Sequence, residues 1–317
     1  MIDKISRVVI VGVGNVGVTT AFSIVTQGIC DEVVLIDINE ERVLGEVMDL
    51  SQSIEFLNRN VKVRKGTYED CRDADIVVMT ACAPMTSDNN RLIWLNATKV
   101  IVKDIVDRIM ANGFEGCFVV VSNPVDIISY YIYKLSGLPG NQIIGTGTSL
   151  DSARLKVFIG ELIDVDPRSI NAYVLGEHGD SEMIPWSCVR IGGKDIYSII
   201  RDNPWRIQPE DLDKLHRKTM QAGWEIFNRK GNTAYGIATS VVGIIKAILR
   251  NENKIIPVSA LLSGHLGEED VFIGVPVILN RTGAKEIVEL EMNDAEKALF
   301  HASCENVRKY YPMLETE

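Results

Sequence analysis

The sequence has no excess of positive charge, no long apolar run, no paired-cysteine motif and only four histidines. Its 317 residues carry 33 Lys and Arg against 43 Asp and Glu, a formal net charge of −10. Nucleic acids and anionic membrane surfaces are held by clustered Lys and Arg, so this balance excludes both as partners. It does not exclude an anionic small molecule, because a few local arginines can dominate a pocket. No stretch approaches the ~18 uninterrupted apolar residues of a membrane span. The opening MIDKISRVVIVG has no basic segment ahead of a long apolar core, and a cytoplasmic protein is expected. Cys30, Cys71, Cys82, Cys117, Cys188 and Cys304 are scattered without C-x-x-C spacing. In a chain of this size they read as reduced thiols rather than a disulfide frame or a metal site.

What is present is a rhythm. Short Val/Ile-rich runs recur through the first half: RVVIVG (7–12), EVVLID (32–37), VKVRK (61–65), DIVVMT (75–80), CFVVVSN (117–123) and QIIGTG (142–147). Apolar runs without alternation are the mark of strands covered on both faces. Helical segments such as 15–29 and 89–111 lie between most of them, which predicts an α/β fold built on a doubly wound parallel sheet. After about 147 the pattern loosens into a mixed α+β region. A helix (147–163), a strand-like run (170–176), a hairpin around Ile191-Gly192-Gly193, helices over 208–228 and 233–250, and strands near 255–263 and 271–279 are expected there. A last helix starts near 294, where Asn293 and Glu296 form a capping-box pattern. The expected division is a dinucleotide-binding domain over 1–147 and a substrate domain over 148–317.

Gly12-Val13-Gly14-Asn15-Val16-Gly17 follows the first strand and opens the first helix. Its glycines suit a tight turn, close approach of backbone to a pyrophosphate and close helix–strand packing, with the helix N-terminus aimed at the phosphates. Asp37 ends the next strand, where a carboxylate accepts hydrogen bonds from a ribose diol and repels a 2′-phosphate. The cofactor is therefore read as NAD rather than NADP.

Of the four histidines, His216 and His301 sit in charged amphipathic helices and His265 lies between glycines in a loop. His178 differs: it follows a strand and sits in Gly-Glu-His-Gly-Asp, exposed by small neighbours at a strand end. Asp151 and Arg154 share one face of a largely apolar helix, which suggests an interface rather than a solvated ion pair.

Taken together, GVGNVG, LID (35–37), the Arg91 loop, SNPVD (122–126), GTGTSLDSAR (145–154), GEHGD (176–180) and GNTAYGIA (231–238) resemble the L-lactate/malate dehydrogenase family along nearly the whole chain. The resemblance implies hydride exchange between NADH and a 2-oxo acid. It implies that His178 is the acid/base, that Asp151 orients it and favours its imidazolium, and that Arg154 clamps the substrate carboxylate with its planar fork. Arg91 would arrive on loop closure to polarise the carbonyl, Asn123 would orient it, and Thr233 would line the far wall. The cofactor would contact Gly12, Gly14, Asn15, Val16, Gly17, Asp37, Thr80, Ala81, Val121 and Asn123. A homotetramer, or a homodimer, is the implied assembly.

The family sorts substrates largely through the loop position that corresponds to Met85. Malate enzymes carry arginine there, and ordinary lactate enzymes glutamine. Met85 cannot pair a second carboxylate, and an unpaired buried one is strongly unfavourable, so oxaloacetate is expected to be poor. A thioether suits apolar side chains, each extra buried CH₂ contributing up to about 0.8 kcal/mol. The expectation is an L-2-hydroxyisocaproate-type enzyme, with lactate dehydrogenase proper as the alternative. A non-catalytic NAD-binding protein is remote, since it would have no need to keep His178, Asp151, Arg154 and Arg91 together. Asp88 replaces the loop's usual glycine. Lys156 and Asn171 stand where bisphosphate-activated relatives carry arginine and histidine, which predicts no activation by fructose 1,6-bisphosphate.

Overall fold

The computed structural model describes residues 5–84 and 91–315. Its first half runs β1 (Arg7–Val11), α1 (Asn15–Gln27), β2 (Glu32–Ile36), α2 (Glu40–Ser53), β3 (Lys62–Lys65), β4 (Ile76–Met79), α3 (Arg91–Ala111), β5 (Cys117–Val120), α4 (Val125–Ser136) and β6 (Ile143–Gly145). Every residue of β2, β4, β5 and β6 is buried, as is all of β1 beyond Arg7. That double burial is why these strands read as unbroken apolar runs. They pair in parallel in the order β3-β2-β1-β4-β5-β6, so the chain reverses direction across the sheet between β1 and β4. The fold is α/β and doubly wound, as expected.

The second half runs α5 (Ser149–Ile163), β7 (Ile170–Asn171), β8 (Arg190–Ile191), β9 (Lys194–Asp195), α6 (Ile196–Asp202), α7 (Pro209–Lys230), α8 (Tyr235–Leu249), β10 (Lys254–Ser263), β11 (Glu269–Asn280), β12 (Gly283–Ile287), α9 (Asp294–Arg308) and α10 (Pro312–Glu315). The capping box at Asn293 and Glu296 is present. Three features depart from the sequence reading. The strands β10, β11 and β12 extend the first sheet in antiparallel fashion through β6, Ser259 facing Gly145, an attachment the sequence did not indicate. The run 170–176 is a strand only at its first two residues; Leu175 and Gly176 instead bridge singly to Met183 and Gly274. The short helix α6, capped by the Asp195 carboxylate on the Ser198 N–H, has too few residues to show a helical period.

The main core surrounds the nine-stranded sheet, and a second apolar cluster lies between α5, the three-stranded sheet and α7. Between them a cavity opens at the carboxyl ends of the parallel strands, where open α/β sheets place their ligands. Among the described residues no helix is long and apolar enough to cross a membrane.

Candidate active site

The turn after β1 leads into α1 with Gly14 as N-cap and no side-chain cap bond, so among the described residues the first-turn N–H groups of Asn15, Val16 and Gly17 have no side-chain partner. The packing around this turn is close. A Cβ on Gly17 would stand 2.0 Å from the Gly12 carbonyl oxygen, and one on Gly12, at φ +103°, would stand 2.6 Å from the Ala81 nitrogen. The Thr80 hydroxyl reaches the Gly12 carbonyl at 2.6 Å and tethers the turn to the end of β4. Gly14 is the opposite case: a Cβ there would meet no protein atom within 4 Å. The turn is therefore packed against the fold on one side and left as an open cradle of backbone donors on the other, which fits a pyrophosphate. The Asp37 carboxylate accepts the Val13 N–H at 2.6 Å and the Asn39 N–H at 2.9 Å, which fixes it at the end of β2. Each oxygen keeps a lone pair for a ribose hydroxyl. The donor set fits NAD.

Next to this cradle is a cavity of about 620 Å³ lined by Val16, Thr80, Val121, Asn123, Asp151, Arg154, His178, Glu182 and Thr233, among others. The elements that place these side chains differ. Asn123 follows β5 and is joined to Pro124, the N-cap of α4, by a cis peptide bond. Asp151 and Arg154 lie on the first turns of α5. His178 sits on a loop held at both ends. Leu175 and Met183 exchange two backbone bonds of 2.8 Å, Gly176 and Gly274 exchange two more, and the Glu177 N–H donates to the Ser303 hydroxyl on α9.

Within the cavity, one carboxylate links both cations. Asp151 Oδ2 lies 2.6 Å from His178 Nδ1, and Asp151 Oδ1 accepts from Arg154 Nη1 at 2.8 Å. Asp151 is 2% exposed. Burial opposes its ionisation, yet the adjoining charges and hydrogen bonds of His178 and Arg154 hold its carboxyl below the usual range. Asp151 in turn raises His178 to about 9, against the opposing effect of burial. With Nδ1 held by Asp151, Nε2 is the ring nitrogen left for the cavity.

His178 alone of the histidines lines the cavity. The others are structural: His216 Nε2 meets the Glu182 carbonyl oxygen at 3.0 Å, His265 Nδ1 accepts the Ser263 N–H, and His301 Nδ1 lies 2.6 Å from Glu268. Met85 and Asp88 lie outside the described residues, as does the side chain of Arg91. The segment before them is anchored, since Trp94 Nε1 donates to the Ala83 carbonyl at 2.7 Å.

Two buried carboxyls near His178 were not singled out in the sequence. Asp126, on α4 behind the loop, accepts the His178 backbone N–H at 2.8 Å; burial raises it to about 6. Glu182, 5% exposed, lines the cavity itself, and its Oε1 has no hydrogen-bond partner among the described residues. Both lie within or close to quoted motifs, but nothing in the residue pattern shows that they are buried. Also unforeseen is the apolar wall of Met220, Trp224, Phe227 and Ile237 from α7 and α8.

A dinucleotide cradle opening onto a charged pocket defines an NAD-dependent oxidoreductase. The chain belongs to the lactate/malate dehydrogenase family: residues 6–145 match that family's NAD binding domain and residues 148–312 its alpha/beta C-terminal domain. It is 49% identical over 304 residues to L-lactate dehydrogenase 3 of Bacillus cereus, covering 96% of each chain. It is 48% identical over 305 residues to L-lactate dehydrogenase 1 of Bifidobacterium longum, again 96% of each. Among solved structures, the minor L-lactate dehydrogenase of Enterococcus mundtii in its ligands-bound form superposes with a TM-score of 0.95 at 43% identity, over 98% of this chain and 99% of that one.

Proposed function

We propose that this chain is an L-lactate dehydrogenase, interconverting pyruvate and L-lactate. The observation that carries this reading is the chain of contacts from His178 through Asp151 to Arg154, in a cavity that adjoins the dinucleotide cradle. When bound, NADH supplies the hydride. Arg154 offers its fork to the substrate carboxylate, which pins the acid end. His178, kept as imidazolium by Asp151, donates the Nε2 proton to the carbonyl oxygen during reduction and takes it back during oxidation. Asn123 holds the carbonyl end, Thr233 closes the far wall, and Arg91 joins when its loop shuts. Residues 1–147 would bind the cofactor and 148–317 the substrate. A cytoplasmic homotetramer or homodimer belongs to the same reading.

The curated relatives carry the name L-lactate dehydrogenase, which supports pyruvate over 2-oxoisocaproate as the main substrate. Met85 and the apolar wall of Met220, Trp224, Phe227 and Ile237 support a second reading, in which 2-oxo acids with longer apolar side chains are also accepted. Oxidation of NADH against 2-oxo acids of increasing side-chain length, with oxaloacetate included, separates the two. A monotonic fall beyond pyruvate leaves lactate dehydrogenase alone. A maximum at 2-oxoisocaproate supports the second reading, and a preference for oxaloacetate overturns both.

A further inference from the structure

Glu182 is a buried carboxyl in the wall of the pocket that takes the substrate anion, and its Oε1 has no hydrogen-bond partner among the described residues. A carboxylate in that position is the unfavourable form, because burial removes hydration and, at Oε1, no partner among the described residues replaces it. The groups facing it are known. Asp151 and Arg154 come from α5, His178 and the exposed Asp180 from the loop, and His216 from α7 meets the Glu182 backbone carbonyl. Asp126 lies behind the loop and does not line the cavity.

Among the charged groups that line the cavity, the solvent-exposed Asp180 set aside, the charge count is simple. Arg154 and protonated His178 give two positive charges, and Asp151 gives one negative. With Glu182 neutral the pocket keeps a net positive charge for an incoming carboxylate. With Glu182 ionised that surplus vanishes, and the bound anion becomes an uncompensated charge in the pocket.

We propose that Glu182 acts as a neutral carboxylic acid that permits anion binding, so that a 2-oxo acid enters only when Glu182 carries its proton. This rests on the substrate class proposed above. Burial, and then the nearby Asp151, raise Glu182 to about 8, which places the transition just above neutrality. An anion that binds the protonated form must then draw a proton onto the enzyme as pH rises.

The test is calorimetry of oxamate, an unreactive 2-oxo acid analogue, binding to the NADH-loaded enzyme at pH 8 in two buffers of different ionisation enthalpy. Their difference gives the protons taken up per site. The expectation is about half a proton, the ionised fraction of a group titrating near that pH. In Glu182→Gln, which keeps the neutral shape, uptake should fall to about a tenth of a proton, the share left to His178. Equal uptake in both proteins overturns the proposal. If the variant does not fold, the wild type decides alone, since uptake below about a tenth of a proton is incompatible with it. Absence of both oxamate binding and pyruvate turnover across pH 5–9 overturns the substrate reading as well; normal binding without uptake removes only the role of Glu182.

Discussion

His178 Nδ1 lies 2.6 Å from Asp151 Oδ2, inside a pocket where Asp151 is almost wholly buried. The pair fixes which ring nitrogen faces the cavity and raises His178 from 6.5 to about 9, Asp151 being the largest cause. The proton is thus held across the neutral range. The imidazole resonances of the wild type should titrate near 9. In Asp151→Asn, which keeps the shape and removes the charge, they should move down toward 6.5. Pyruvate reduction should drop on the order of 100-fold in that variant. In the wild type, reduction should weaken and lactate oxidation strengthen as pH climbs toward 9. An unmoved titration in Asp151→Asn would show that the carboxylate does not set the proton affinity.

The His178 backbone N–H donates to Asp126 at 2.8 Å, so the loop is tied to α4 by a side chain that does not line the pocket. Asp126→Ala leaves that buried N–H without its partner, at a cost of about 1–3 kcal/mol. It should also let His178 drift, lowering turnover of pyruvate by about 10-fold to 100-fold with little change in NADH affinity. Asp126→Asn retains an acceptor oxygen and should recover most of the turnover. If Asn proves as poor as Ala, the charge rather than the hydrogen bond is what matters at this position.

How much of this was legible in the sequence depended on how local the cause was. The parallel strands were readable because burial on both faces forces runs such as VVIV and EVVLI, whatever lies beyond them. The glycine turn was readable because Gly12 and Gly17 stand where a Cβ would collide with backbone. His178 could be isolated because the other histidines sit in helices or between glycines. The joining of β10 to β6 at Ser259 and Gly145 was not readable, since more than a hundred residues separate them and no composition signal marks a sheet edge that finds a partner. Burial of Asp126 and Glu182 was hidden for a related reason. A carboxyl in a polar motif looks solvated until tertiary packing encloses it. The apolar wall from α7 came from a helix whose charged residues are as evident as its aromatic ones.

Glu32 is 2% exposed and meets Arg7 at 2.5 Å, Arg64 at 2.8 Å and Lys62 at 3.0 Å. Burial disfavours its charge, but the hydrogen bonds from Arg64, Lys62 and Arg7 win and bring it from 4.5 to about 2. A carboxyl depressed on folding stabilises the native state above its unfolded pKa. That contribution is lost as pH falls from 4.5 toward 2. The full shift is equivalent to roughly 3 kcal/mol, and with Lys62 and Arg64 partly exposed to screening it should amount to about 2 kcal/mol. Chemical denaturation of wild type and Glu32→Gln should therefore differ at pH 7 and converge near pH 2–3. A gap that stays constant with pH would assign the effect to packing instead.

Met85→Arg tests the position proposed to select the substrate, which lies outside the described residues and is argued from the sequence and the family resemblance. In the native chain the second carboxylate of oxaloacetate would meet a thioether that offers it no donor. An arginine there supplies a planar pair of donors, matched to a carboxylate, that a buried anion otherwise lacks. Oxaloacetate kcat/KM should rise at least about 100-fold, equivalent to roughly 2.7 kcal/mol of transition-state stabilisation. Pyruvate and the longer apolar 2-oxo acids should fall, because a guanidinium facing a substrate without a second carboxylate loses hydration and gains no partner. The ratio of the two activities is the quantity to follow, since it cancels any general loss from a disturbed loop. A ratio that moves less than about tenfold would mean that Met85 packs without choosing, and that selectivity resides in the wall formed by Met220, Trp224, Phe227 and Ile237.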